Sequence, residues 1–156
     1  MIRLADSIQS ILFLDELGIE DRDSAFRAMV EDLARGGHVP AALAPDLSRA
    51  LVDRAELGPT AIGDGVAIPH AWHRGLDRTV AALGLSQQGL AYESLDGGPV
   101  HFVLLILSPA DPSGDAAKKD LFDAWLGRLQ DPAFRTVLLC VDFPEGLREF
   151  LESVEV

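Results

Sequence analysis

The chain has 156 residues, enough for one domain with a substantial core, and its 48% hydrophobic and 24% charged residues are ordinary for a soluble globular protein. A net charge of −12 at pH 7 argues against binding nucleic acid or anionic membrane surfaces, because both require clustered cations. Since the N-terminus lacks a basic and apolar signal pattern and no apolar run is long enough to span a bilayer, we expect a cytoplasmic protein without membrane insertion.

The first part of the chain predicts a strand and a helix. The apolar run at residues 10–14 is typical of a short strand, and apolar side chains then recur at helical spacing as far as Leu33. Asp23 or Ser24 can cap this helix, because each side chain can accept a hydrogen bond from the free N–H groups of the first turn. The two glycines at positions 36 and 37 are expected to end it.

A second helix is predicted to begin at Pro45-Asp46 and to carry Arg54 near its end. Arg54 has two interpretations. As a cation in the last turn, it complements the negative end of the helix dipole. As a guanidinium beside the following loop, it offers planar hydrogen-bond donors to the oxygens of a phosphoryl group. Taken alone, the pattern favours the first interpretation.

The stretch from Gly58 to His73 combines turns, a short strand and a histidine. One turn opens it and Gly63-Asp64-Gly65 makes another, since glycine tolerates positive φ. The apolar run at residues 66–68 is typical of a buried strand, and Pro69 ends it because proline donates no hydrogen bond to a sheet. His70 follows at once. Its imidazole is therefore predicted at a sheet edge, as a nucleophile, a ligand or a structural residue.

The second half of the chain predicts two further strands and a helix. Apolar residues indicate strands at 79–85 and 100–107, and the second, the most hydrophobic segment, is expected in the centre of the sheet. A loop rich in Pro, Asp and Gly follows, and the next helix can be capped by Ser113 or Asp115. Pro132 is expected to end that helix.

The C-terminal part predicts a last strand and a last helix. Residues 136–141 have a buried-strand pattern, and Cys140 within it is interpreted as a core residue without reactive chemistry. Residues 145–154 are amphipathic at helical spacing. Because strands and helices interleave, the predicted fold is α/β, a single domain with a mixed central sheet and helices on both faces.

The residues around His70 resemble the phosphohistidine signature of a known family, the IIA domains of the bacterial sugar phosphotransferase system. The closest branch is the fructose/mannitol type, which includes the nitrogen-regulatory paralogue. Arg54, sixteen residues before His70, matches the same branch. The resemblance covers most of the chain, taken as one domain over 1–156, and is weakest before about Ser24. The motif comprises Thr60, Gly63, Gly65 and the run Ala67-Ile68-Pro69-His70.

The resemblance implies a phosphoryl carrier that needs no cofactor or metal. His70 would accept phosphate from a small histidine phosphocarrier and pass it to a IIB domain of a sugar transporter, or use it as a regulatory switch. Arg54, the Thr60 hydroxyl and the N–H groups of the Gly63–Gly65 turn are the expected supports for phosphoryl oxygens. The sugar, the regulated partner and the oligomeric state stay open.

One position departs from the family pattern. The family places a second histidine at the start of the helix after the long apolar strand, and here that position is Lys118. Its ammonium can pair with a phosphoryl group but cannot titrate near neutrality, and a solvated surface lysine is an equal expectation. The alternative function is therefore a regulatory protein-binding module in which phosphotransfer is weak or lost.

The remaining histidines have simpler interpretations. His73 follows His70 by three residues, which on a helix would suit a metal pair and a metal-dependent hydrolase, but an extended turn is the stronger expectation here. Trp72 is interpreted as a packing or interface residue. His101 is expected to be structural within its strand, and His38 to lie in a solvated loop.

Overall fold

The most hydrophobic segment of the chain lies at the centre of the sheet, as predicted. The computed structural model describes residues 3–154, in which six strands form one mixed sheet. In chain order the strands are β1 (Ser10–Phe13), β2 (Ala61–Gly63), β3 (Val66–Ala67), β4 (His70–His73), β5 (Val80–Leu90) and β6 (Val100–Pro109).

The strands lie in the order β1-β5-β6-β3-β2, and β4 also pairs with β6. β5 and β6 form a long antiparallel pair, whereas β1 runs parallel to β5. β3 and β4 both run parallel to β6 and occupy one of its edges in succession, with Val66 beside Phe102 and His70 beside Ile106. This arrangement places His70 at the edge of the sheet beside its most buried strand.

Helices cover both faces of the sheet, which confirms the predicted mixed α/β architecture. The α-helices within residues 3–154 are α1 (Leu4–Ser7), α2 (Arg22–Arg35), α3 (Ala44–Leu57), α4 (Pro112–Leu129), α5 (Pro132–Cys140) and α6 (Pro144–Glu152), with 3-10 turns at Asp15–Leu17 and Ala41–Leu43. One core cluster joins α2 and α3 to the sheet, and a second joins α1, α4, α5 and α6 to its other face. No helix of the described residues combines the length and the apolar character that crossing a bilayer demands.

The predicted strand at residues 136–141 is wrong, since these residues belong mostly to α5. Asp131 caps this helix by accepting a hydrogen bond from Ala133 N at 3.0 Å, and a proline occupies its first turn. Phe134 and Leu138, one turn apart, are its buried residues. Cys140 is exposed and is therefore not the core residue that the strand pattern predicted.

Two predicted helix caps are also displaced towards the N-terminus. Asp21, and neither Asp23 nor Ser24, caps α2 by accepting a hydrogen bond from Ser24 N at 3.0 Å. Asp111 caps α4 through Gly114 N at 2.8 Å, so neither Ser113 nor Asp115 has that role. In α4 the sequence Asp111-Pro112 explains the shift, because proline fits the first position of a helix and needs no hydrogen-bond partner there.

Candidate functional site

His70 is held where the chain passes from β3 to β4 along the edge of β6. The Pro69 carbonyl accepts a hydrogen bond from Ile106 N at 2.9 Å, which fixes the backbone immediately before His70. Because side chains alternate along a strand, His70 and Trp72 share one face while Ala71 and His73 share the other. Ala71 is buried in the core cluster of α2 and α3, so the His70 ring lies on the side of α4.

The His70 ring is partly buried, and its two nitrogens lie in different surroundings. Nδ1 is buried without a hydrogen-bond partner, a state found for no other side-chain nitrogen or oxygen of residues 3–154. The Trp72 ring packs edge-to-face against the imidazole with 4.8 Å between ring centroids. Since Nδ1 is enclosed and the side chain keeps some exposure, Nε2 is the nitrogen on the accessible side.

Burial and two cations hold the pKa of His70 below its usual value. Burial is the largest cause, because it disfavours the charged imidazolium, and the positive charge of Lys118 is the next. The Ile68 backbone acts in the opposite direction and raises the pKa, although it forms no hydrogen bond of ordinary geometry with Nδ1. Arg54 adds a smaller lowering effect. The ring is therefore neutral at neutral pH, as nucleophilic attack requires.

Arg54 lies at the end of α3, close enough to the site for its charge to act on His70. Its Nη1 donates a hydrogen bond to the Gly58 carbonyl at 3.2 Å, across the helix C-terminus. The contact agrees with the first interpretation, because the guanidinium completes the helix end. The second interpretation, donation to the oxygens of a phosphoryl group, stays a prediction.

Lys118 extends from the second turn of α4 towards the His70 side of the sheet. Its Nζ lies over the Trp72 ring, 5.4 Å from the ring centroid, within the range of a cation–π contact. The neighbouring Lys119 instead forms an exposed ion pair with Asp123, with 2.7 Å between Nζ and Oδ2. Of the two lysines, Lys118 therefore contacts a residue beside His70, whereas Lys119 is engaged at the surface.

Thr60 is buried, and its hydroxyl is hydrogen-bonded to the Tyr92 hydroxyl. The Thr60 carbonyl accepts a hydrogen bond from Ile68 N at 3.1 Å, which ties Thr60 to the segment just before His70. Burial raises the pKa of Tyr92 to about 12. Sequence analysis missed Tyr92, because a single tyrosine in a loop 32 residues away from Thr60 carries no motif.

The Gly63–Gly65 turn is not brought to His70. Asp64 and Gly65 have φ values of 57° and 76°, as in the tight turns that join hairpin strands, and Asp64 N donates to Asp96 Oδ2 at 3.1 Å. Gly65 lies beside His101 on β6, whereas His70 lies beside Ile106, about 16 Å farther along at strand spacing. The turn joins β2 to β3 and therefore affects His70 only indirectly, through the position of β3.

Two of the other histidines, His73 and His101, are engaged away from the His70 ring. His73 lies on the opposite face of β4; its Nδ1 accepts a hydrogen bond from Gly75 N at 2.8 Å, and its Nε2 is 3.7 Å from Asp46. His101 is tied through Nδ1 to the Ser86 carbonyl at 2.8 Å. Within the described part of the chain, no three potential metal-ligating side chains come together.

The sequence matches a family model described as phosphoenolpyruvate-dependent sugar phosphotransferase system, EIIA 2, over residues 8–154. The nitrogen regulatory protein of Bradyrhizobium diazoefficiens is 39% identical over 83 residues, which are 53% of this chain and 54% of that protein. A fructose-specific EIIABC component of Bacillus subtilis is 44% identical over 57 residues, which are 36% of this chain and 9% of that protein. The chain thus spans about half, or much less, of the length of these relatives.

Two solved structures have the same fold. IIA-Ntr from Neisseria meningitidis has a TM-score of 0.78 at 22% identity, with 94% of this chain and 97% of that chain covered. Enzyme IIA-mannitol from Escherichia coli, solved in complex with phosphorylated enzyme IIB-mannitol, has a TM-score of 0.66 at 17% identity, with 91% and 93% covered. With nearly the whole chain matched by the family model, this protein belongs to the EIIA 2 family of the phosphoenolpyruvate-dependent sugar phosphotransferase system.

Proposed function

We propose that this protein is a cytoplasmic phosphoryl carrier that accepts a phosphoryl group on Nε2 of His70 from a small histidine phosphocarrier. The group then passes to a IIB domain or serves as a regulatory signal. The observation that carries the proposal is the enclosure of the His70 ring at Nδ1, which leaves Nε2 on the accessible side. Burial and two cations lower the pKa of the ring, which favours its neutral form. The solved complex of IIA-mannitol with a phosphorylated IIB protein supports a IIB domain as the acceptor.

The proposed transfer exchanges one P–N bond for another. The lone pair on Nε2 attacks phosphorus and the bond to the donor imidazole breaks. The donor ring, protonated on its other nitrogen, keeps the electron pair of that bond and leaves as a neutral imidazole. Nδ1 of His70 keeps its proton throughout, and a small rotation of the ring would let it donate to the Ile68 carbonyl. The negative charge on the phosphoryl oxygens requires fixed positive charge nearby, which Lys118 and Arg54 supply from two different helices.

Thr60, Gly63 and Gly65 support the site indirectly in this proposal. Thr60 holds Ile68 through its carbonyl and is itself held by Tyr92. The two glycines allow the turn that brings β3 against β6, and β3 in turn positions the Pro69-His70 step. Mutations at these three residues should therefore change the rate of transfer through the position of His70, without removing a contact to phosphate.

The presence of Lys118 favours a second candidate function, a regulatory switch with slow onward transfer. A permanent ammonium attracts the phosphoryl group in the phosphohistidine as well as in the transition state. Binding both states equally lowers no barrier for the next step. The phosphorylated form would then persist, which suits a protein whose partner binding depends on phosphorylation more than it suits a rapid relay.

Incubation with phosphoenolpyruvate and the general phosphotransferase proteins tests the proposed acceptor. We expect a gain of one acid-labile phosphoryl group, seen by intact-mass spectrometry, and its loss in His70→Ala. The matched control is His73→Ala, which removes a histidine on the opposite face of the same strand and should leave labelling intact. A wild-type protein that stays unlabelled by an active donor would contradict the proposal.

Onward transfer separates the two candidate functions. Purified phosphoprotein is mixed with IIB domains of the fructose and mannitol types, and the loss of label from His70 is followed with time. Rapid loss to a IIB domain supports the relay. A label that persists, together with a partner that binds only one of the two forms, supports the switch, and Lys118→His should then accelerate the loss.

A further inference from the structure

We propose that Trp72 is a positioning residue for this transfer: its indole ring holds the Lys118 ammonium beside His70 until a phosphoryl group on His70 draws it away. The inference rests on the proposed function and assigns a role to a residue outside the family motif. It concerns the side chain that occupies the position of the second family histidine.

The contacts of the Trp72 ring carry this inference. Its centroid lies 4.8 Å from the centroid of the His70 imidazole, in an edge-to-face contact, and 5.4 Å from the Lys118 ammonium. Trp72 is 40% exposed, so part of the indole is open to water. One indole ring therefore contacts both the histidine and the cation that the proposed function brings to the phosphoryl group.

Lys118 has no competing partner in the part of the chain that the structure describes. Its ammonium has no carboxylate within 4.0 Å there, whereas Lys119 is paired with Asp123. A lysine on a helix surface otherwise samples many rotamers in water, and restricting it costs conformational entropy. The indole face reduces that freedom before the phosphoryl group arrives, so less entropy is lost when the ammonium binds phosphate.

Phosphorylation should shift the ammonium from the ring to the phosphoryl group. Attraction between an ammonium and a phosphoryl dianion at short range exceeds attraction to the quadrupole of an indole. The flexible lysine side chain can make this move without a change in the backbone. The indole therefore gains exposure when His70 is phosphorylated, which gives the two forms of the protein different surfaces beside the site.

The lysines of this chain make the movement measurable. Lys118 and Lys119 are the only lysines, so protein labelled with ¹³C-lysine gives two ε-methylene signals, which Lys119→Arg assigns. In the unphosphorylated protein we expect the Lys118 signal upfield of the Lys119 signal, because of the indole ring current. Phosphorylation of His70 should move it towards the Lys119 position. Coincident signals before phosphorylation, or a Lys118 signal that phosphorylation leaves unmoved, would overturn the inference.

Two substitutions distinguish positioning from packing. Trp72→Phe keeps an aromatic face, and Trp72→Leu keeps apolar bulk without one. With phosphoramidate as the donor, which needs no protein docking, we expect Trp72→Leu to slow phosphorylation of His70 by about threefold or more, and Trp72→Phe by less. In a Lys118→Met background the two Trp72 variants should have the same rate. Equal rates of the two variants with Lys118 present, or a difference between them that persists without Lys118, would reject the positioning role.

The phosphorylation experiments give different results if only the role of Trp72 is wrong and if His70 accepts no phosphate at all. A protein that takes no phosphate from either phosphoramidate or the general phosphotransferase proteins overturns the proposed function, and the transfer role of Trp72 with it. A protein that is phosphorylated on His70 at the same rate with tryptophan or leucine at position 72 overturns the role of Trp72 alone.

Discussion

His70 is a histidine on which burial and neighbouring positive charge act in the same direction. Burial comes first among the causes that lower its pKa, then Lys118 from α4, with Arg54 from α3 adding less. An ordinary exposed histidine would be partly protonated near pH 6.5 and would then lack the free lone pair. The surroundings therefore extend the pH range in which the ring can accept phosphate to lower values.

Lys118→Met should raise the pKa of His70, because it removes the second of these causes and leaves burial unchanged. The pKa can be read from the ring-proton signals of His70 in an NMR titration. Lys119→Met is the control, since Lys119 is occupied by Asp123 and should leave the His70 titration unchanged. Equal shifts in the two variants would mean that Lys118 is no closer to His70 than its neighbour is.

The lowered pKa also predicts how folding stability depends on pH. As pH falls through the usual histidine value, the unfolded chain binds a proton at His70 before the folded chain does, so the free energy of unfolding decreases. His70→Gln should reduce this loss of stability between pH 7 and pH 5, as measured by urea denaturation. His38→Gln is the comparison, because His38 lies in the bend that follows α2 and is not on the sheet that carries His70. An unchanged pH profile in His70→Gln would contradict the lowered pKa.

Tyr92→Phe should destabilise the protein by about 1–3 kcal/mol, because it leaves the buried Thr60 hydroxyl without its partner. Urea denaturation measures the loss, and Thr60→Val with Tyr92→Phe should recover part of it by removing both polar groups. In the wild type, absorbance of the single tyrosine should titrate at about 12, since burial raises its pKa. A midpoint near 10 would mean that the hydroxyl is open to water.

The site was only partly predictable from the sequence, and the reason lies in the range of the contacts. A motif and a spacing mark His70, Arg54 and Lys118 in the sequence, and in the structure the charges of Lys118 and Arg54 act on His70. Tyr92 reaches Thr60 from a distant loop, and Trp72 reaches Lys118 across the space between β4 and α4. These two contacts join residues that are far apart in the sequence, so no local sequence pattern predicts them.

At the scale of elements, the β2–β3 hairpin and α4 show how glycine can be essential in one place and dispensable in another. Gly65 has a φ of 76°, and a Cβ there would lie 3.0 Å from His101 Cδ2. Gly127 is on the exposed side of α4, where a Cβ would meet nothing within 4 Å. At position 65 both the backbone conformation and the lack of space require glycine, whereas at position 127 neither does.

Gly65→Ala should therefore destabilise the protein by about 1–2 kcal/mol, since alanine is strained in the left-handed region. Gly127→Ala should stabilise it by about 0.5–1 kcal/mol, because alanine is the better helix former. Both changes can be measured as shifts in the urea midpoint at unchanged slope. Two changes of the same sign would contradict the roles assigned to these glycines.

The spacing of apolar residues predicts most of the long helices and strands, but at residues 136–141 it predicts the wrong element. The run at residues 136–141 is short and continuously apolar, and such a run fits a buried strand as well as a buried helix. Tertiary packing decides in favour of α5, which buries Phe134 and Leu138 one turn apart. The sequence Asp131-Pro132 just before it was a helix-start signal, and giving it more weight would have favoured the helix.

At the scale of the whole molecule, one sheet separates two core clusters, and His70 lies at the edge where both meet. Ala71 belongs to the cluster of α2 and α3, whereas Ile68 belongs to the cluster of α4, α5 and α6. The site therefore depends on the integrity of both layers. Arg148 of α6 joins the C-terminal layer to the first turn of the described chain, donating to the Ala5 carbonyl at 3.0 Å and to Ile8 O at 3.4 Å.

Arg148→Met should cost about 1–3 kcal/mol of stability, because it leaves partly buried carbonyls without their donor while keeping most of the side-chain bulk. Arg35→Met is the control, since it breaks only an exposed pair with Asp32 and should change stability by less than about 1 kcal/mol. Thermal and urea unfolding would measure both. A similar loss in the two variants would show that the Arg148 contacts contribute no more than a surface charge.

The residue that precedes α1 lies beside the end of α6. Arg3 Nη2 lies 3.4 Å from the Glu152 carbonyl, so the two ends of the described chain are neighbours in space. A short flexible linker could join residues 3 and 154 in a circle, and the turn at the exposed Gly97 between β5 and β6 offers a place to open it. A circular permutant cut there would keep every strand pairing around the phosphate-accepting edge while starting its synthesis with the central strand.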